Sequence, residues 1–221
     1  MLSAHDVESP EPRWPAVIGV LAAASLHFAL PRDLRFGPPG LLVGLVLTLL
    51  AVATVARHAG LHHVNAKAGY GVLALLSIGL LYGLARLFMG LVQHGISAPD
   101  LLRAAAVLWA TNVLVFATWY WRLDGGGPNV RERRAVHTRG AFLFPQMAVN
   151  APDHPDVTLA HAEGWRPGFV DYLFVAFNTS TAFSPTDVPV LSRWAKLTMM
   201  LQSIISVTAV VLLVGRAVNI L

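Results

Sequence analysis

The chain contains no cysteine. Disulfides, thiol chemistry and cysteine-based metal sites are therefore excluded. Charge is also scarce: 13% of the 221 residues are charged, against about a quarter in soluble domains. Hydrophobic residues make up 55% of the chain and fall in long stretches, which indicates an integral membrane protein. No nucleophile elbow, phosphate loop or HExxH motif is present. No enzyme and no cofactor are expected. No basic run is interleaved with aromatics, so the net charge of +4 bears on lipid contact and loop orientation rather than on nucleic acid. The N-terminus, MLSAHDVESPEPRW, lacks the basic start of a signal peptide, and the first apolar segment is expected to be retained.

Five apolar segments can be read. The first, Ala16 to Leu30, lies between Pro15 and Pro31 and is short for a span. The second, Gly40 to Arg57, follows the breaker GPPG, and the third covers Ala68 to Gly90. The fourth, Leu101 to Trp121, ends in the interfacial aromatics WYW, and the fifth covers Trp194 to Leu221. DGGGP at Asp124 to Pro128 ends the fourth helix, and Pro145, Pro152 and Pro155 argue against regular structure in the connection that follows. The organisation is thus a helical membrane part over 1–121, a polar connection over 122–167 and a C-terminal module over 168–221.

That module contains GFVDYLFVAFNTSTAF, Gly168 to Phe183, which has helical apolar spacing but is short and rich in hydroxyls. A half-length helix followed by extended polar backbone is a re-entrant segment, which is tolerated at membrane depth only when buried in protein or lining water. The expected fold is all-α: four to five transmembrane helices plus a re-entrant, pore-like half-helix before the last.

Several stretches carry a family resemblance: NVLVFATWYWRLDGGGP, FLFPQ, WRPGFVDYLFVAFNTSTAFSPTDVPVLSRWAKLTMMLQS and RAVNIL. In these the chain resembles a family of bacterial integral membrane proteins with no assigned activity. That resemblance implies a multi-pass protein of the bacterial inner membrane. More distantly, the order helix, connection, short helix, polar turn, Asp and helix resembles the pore module of tetrameric potassium channels. Aligned on Asp187, residues Thr179 and Thr181 fall on that family's filter threonines, and Asp171, Tyr172 and Phe177 match as well. Ser184, Pro185 and Thr186 stand where the channels carry Gly, Tyr and Gly. Without those glycines the backbone does not readily turn its carbonyls toward an ion, and Pro185 fixes its own φ. The resemblance implies a cation path in a homotetramer, without the usual potassium filter.

Thr179, Ser180, Thr181, Ser184, Thr186 and Asp187 are accordingly the candidate ion-contact residues, with a monovalent cation as ligand. The bland reading of the same residues is a hydrogen-bonded helix–turn–helix. Asn112, Asn178, Gln202 and Ser206 are candidate cavity-lining residues; Gln202 and Ser206 share a helix face. A polar residue at membrane depth more often bonds helices to one another. His58 and His62 would share a face if their helix ran on, but Gly60 weakens it, and interfacial histidines are the expected account. Asp153 to Asp156 reads as a turn. No metal site is expected. Arg86 and Arg103, near span ends, are expected to snorkel.

With five spans, Arg13, Arg57, Lys67, Arg122, Arg131, Arg133, Arg134, Arg139, Arg166, Arg193 and Lys196 fall on one side, and Arg32, Arg35, Arg86, Arg103 and Arg216 on the other. The positive-inside rule places the richer side, with the N-terminus and the long connection, in the cytoplasm. Potassium channels hold the filter loop outside, so the two arguments disagree. An ion-channel-like protein is the leading functional expectation. A non-conducting scaffold or sensor, or a small-solute carrier, is the alternative.

Overall fold

The computed structural model describes residues 11–92, 97–132, 140–148, 166–181 and 188–218. Its α-helices are α1 (Trp14–Leu26), α2 (Leu41–His58), α3 (His62–Val92), α4 (Ala98–Leu123), α5 (Pro128–Arg131), α6 (Pro145–Ala148), α7 (Phe169–Thr181) and α8 (Arg193–Val218). Among the described residues there is no strand, only an isolated antiparallel bridge between Phe142 and Val190. Four helices, α2, α3, α4 and α8, are long and apolar enough to cross a membrane.

The first apolar segment forms a shorter helix than a span requires. α1 has 13 residues, about 20 Å of helix against roughly 30 Å of hydrocarbon. Two 3₁₀ turns, His27–Ala29 and Arg32–Leu34, carry the chain onward. Leu34 is fully buried, and Arg86 near the end of α3 donates to the Asp33 carbonyl at 2.9 Å. The N-terminal segment therefore runs most of the length of the bundle although its α-helical part is short.

Helix ends follow local chemistry. Ser97 caps α4, its hydroxyl accepting from the Asp100 amide at 3.3 Å. Asp171 reaches back from the first turn of α7 to accept from the Gly168 amide at 2.7 Å. Ser192 precedes α8 and accepts from the Ala195 amide at 3.3 Å. Between α2 and α3 the chain reverses at Gly60, whose φ of +72° suits glycine. This turn removes the helical register between His58 and His62: they belong to different helices. Among the described residues, no three His, Cys, Asp or Glu side chains gather as a metal site. The connection after α4 is also more ordered than its prolines suggest. Pro128 and Pro145 each open a short helix, because proline at the first helical position loses only an amide that has no partner there.

α4 is the central helix. Leu108, Val115, Ala117 and Tyr120 along it are almost completely buried, and α1, α3, α7 and α8 pack around it. The outer surface is apolar: Val55, Leu197, Met200 and Ile204 all stand exposed. In water such a surface would drive aggregation; in hydrocarbon it is the face that meets solvent. The ends of α2 and α4 and the starts of α1, α3, α7 and α8 share one end of the bundle, called here the cationic end.

Candidate functional site

The C-terminal half of α7 meets α4 and α8 in a buried polar junction. Ser180 lies on the inner face of α7 and Gln202 on the inner face of α8, and both are almost completely buried. The Gln202 amide donates to Ser180 Oγ and to the Ala176 carbonyl, each at 2.7 Å. Its Oε1 accepts from the Tyr120 hydroxyl of α4 at 2.5 Å. One turn further along α8, Ser206 Oγ accepts from Asn112 Nδ2 at 2.8 Å, and the same Nδ2 donates to the Gln202 carbonyl at 3.1 Å. Trp109 Nε1 donates to the Ser180 carbonyl at 3.5 Å, and Ser203 Oγ to the Thr179 carbonyl at 3.4 Å. A buried amide left without partners is costly, so this set fixes the depth and rotation of α7 against its neighbours.

The candidate residues separate. Thr179 is buried and donates back to the Val175 carbonyl at 2.8 Å, while Ser180 is held by Gln202. Thr181 stands exposed at the end of α7, its hydroxyl bonded to the Phe177 carbonyl at 2.9 Å. Asn178 is half-buried. Asn112, Gln202 and Ser206 come together as one network, and Asn112 Oδ1 is buried there without a hydrogen-bond partner among the described residues. Ser184, Thr186 and Asp187 lie outside the described residues, as does the Asp153 to Asp156 turn.

A second polar cluster sits at the cationic end. Arg131 and Glu11 form a buried ion pair at 3.1 Å, their side chains 2% and 7% exposed. Arg131 also donates to the carbonyls of Trp121 and Asp124, each at 2.7 Å. Its guanidinium lies over the rings of Tyr172 and Trp121, 5.4 and 5.9 Å from the centroids. The Trp121 indole N–H donates to Glu11 at 2.5 Å. The Asp124 carboxylate accepts from the Tyr172 hydroxyl at 2.7 Å and from the Ala141 amide. The cluster thus joins the N-terminal segment, the end of α4, the connection and the start of α7. Glycines permit it: Gly125, Gly126 and Gly127 all have positive φ, from 61° to 87°. Sequence reading missed this cluster; its signal was Asp124 and Arg131 in WRLDGGGPNVR, just beyond an aromatic span end.

Nearby, Arg13 donates to Glu132 at 2.8 Å and to Asn129 at 2.7 Å. Burial pulls the Arg13 guanidinium below its ordinary pKa, and Glu132 acts to raise it again. Comparison with protein families, with curated proteins and with solved structures gives no match to this chain.

Proposed function

We propose that this chain is an ion-channel-like protein of the bacterial inner membrane, in which α7 is a re-entrant half-helix and a cation path passes its C-terminal end. One observation carries the reading: α7 begins and the chain returns at the same end of the bundle. α7 starts beside the end of α4, where Tyr172 meets Asp124, and reaches the middle of α4, where Ser180 meets Trp109. By Val190 the chain pairs with Phe142, whose ring packs 5.3 Å from that of Tyr120, back near the start of α7.

A half-length helix ending at such depth is stable only where that end is inside protein or beside water. The carbonyl end of α7 carries partial negative charge, which favours a cation. Thr179 and Ser180 are buried whereas Thr181 is exposed, so the ion contacts fall to Thr181 and to Ser184, Thr186 and Asp187, which follow it in sequence. Hydroxyls and one carboxylate per chain make a path only when repeated around an axis, so the working form is a homotetramer in the bilayer.

Planar-bilayer recording of the purified protein tests this. Unitary cation currents that change with Thr181→Val and with Asp187→Ala are expected. Protein that is monomeric in nanodiscs and passes no cation would sink the proposal. That second result would favour a non-conducting scaffold or sensor, a reading supported by Gln202 locking Ser180 against α8. Saturable solute uptake without unitary currents would instead identify a carrier.

A further inference from the structure

A cavity of about 400 Å³ lies between the cationic-end halves of α1, α2, α3 and α4. Its volume falls within the roughly 300–1,000 Å³ usual for small-molecule sites. One end is apolar, walled by Ala16, Val20, Leu50, Ala53, Val72 and Leu73. The other end carries Arg13, Arg57 and Arg122. Val17 and Thr54 belong both to its wall and to the exposed surface of the bundle, so the cavity opens sideways between α1 and α2.

The charges at the polar end do not balance. Glu11 is engaged by Arg131 at 3.1 Å. Glu132 is shared by Arg13 at 2.8 Å and Arg57 at 3.4 Å. Arg122 meets no carboxylate among the described residues. Its guanidinium is held by the Asn65 and Ala66 carbonyls at 2.9 and 3.0 Å and stacks 5.4 Å from the Tyr70 centroid. It rests directly on the backbone of Gly69, where a Cβ would collide with it. Arg13 Nε, buried beside the same cavity, has no hydrogen-bond partner among the described residues. A half-buried cation without a counter-ion carries an uncompensated desolvation cost, and this site has donors to spare.

We propose that the cavity binds an anionic phospholipid of the surrounding bilayer, its phosphate on Arg122 and Arg13 and one acyl chain in the apolar end. The guanidinium fork matches a phosphate in shape and charge. Basic recesses between helices at the cytoplasmic membrane face are suited to acidic headgroups, and the lateral opening admits a lipid without its leaving the bilayer. This assignment is independent of whether ions pass α7.

The test uses delipidated full-length protein in detergent, incubated with phosphatidylglycerol or with phosphatidylcholine and read by native mass spectrometry. Wild-type protein should retain phosphatidylglycerol in preference to phosphatidylcholine. Arg122→Gln should weaken that retention about fivefold, the effect of one guanidinium near a lipid surface, and leave phosphatidylcholine unchanged. Ala53→Leu narrows the apolar end without touching a guanidinium and should also release phosphatidylglycerol. Thermal unfolding of each variant shows that it is folded. Equal retention of the two lipids overturns the proposal. So does displacement of phosphatidylglycerol by oleate, which identifies a single-chain carboxylate as occupant, or by inorganic phosphate, which removes the chain from the site. Retention unaffected by either substitution overturns it too.

Discussion

Gln202 of α8 donates its side-chain amide to the Ser180 hydroxyl of α7 at 2.7 Å. It does so while accepting from Tyr120 of α4, so one side chain holds three helices in register. Gln202→Leu removes its bonds to Ser180, Ala176 and Tyr120 together. Side-chain bonds between membrane helices average about 0.6 kcal/mol and reach about 1.7; the variant should therefore lose about 2 kcal/mol. Thermal unfolding in detergent reads this as a lowered midpoint, with Gln202→Glu, which keeps an acceptor for Tyr120, between the two. A Gln202→Leu protein as stable as wild type would deny the network any part in seating α7.

The Arg131–Glu11 pair predicts a different pattern. Both side chains are almost fully buried, so removing one partner leaves the other charge stranded. Arg131→Met should cost about 3–5 kcal/mol, whereas replacing both partners by apolar residues is often close to neutral. The double variant Arg131→Met/Glu11→Leu should therefore be more stable than Arg131→Met alone. Chemical denaturation of the single and double variants in detergent gives the coupling energy. Additive losses would show that the two charges do not depend on each other.

These two sites differ in how far sequence reveals them. Asn112, Gln202 and Ser206 could be singled out because a polar residue in an apolar span is conspicuous by itself. The start of α7 was legible from the apolar spacing that begins at Gly168. The Arg131–Glu11 pair was not, since its members lie 120 positions apart and no local period connects the N-terminal segment to the turn after α4. The short helices α5 and α6 were missed for a separate reason: their prolines were read as breakers, although at a first helical position proline is favourable. The shortness of the first apolar segment was legible as well, and its α-helix is shorter still because it gives way to the 3₁₀ turn at His27–Ala29.

Close approach of α1 to α7 gives a third prediction. A Cβ on Gly19 would lie 2.6 Å from the ring of Phe169, so α1 packs there only because position 19 has no side chain. Gly19→Val should cost about 1–3 kcal/mol by overpacking. Phe169→Leu in the same chain opens the space and should recover much of the loss. Thermal unfolding of the pair decides it: no recovery would place the cost in α1 itself, and not at the contact.

Orientation is the last prediction, and it bears on how α7 can function. The cationic end carries Arg13, Arg57, Lys67, Arg122, Arg131, Arg193 and Lys196, and the opposite end Arg32, Arg35, Arg86 and Arg103. The imbalance favours a cytoplasmic cationic end, from which α7 would then enter the bilayer, opposite to the arrangement in potassium channels. Since the chain has no cysteine, one introduced thiol reports a single position. Lys67 is exposed at the start of α3, and Lys67→Cys should react with a membrane-impermeant maleimide only in inverted membrane vesicles. Arg32→Cys, exposed at the other end, should react only in intact spheroplasts. The reverse labelling pattern would orient α7 as the pore helix of a channel and remove the conflict with the charge rule by showing that the rule fails here.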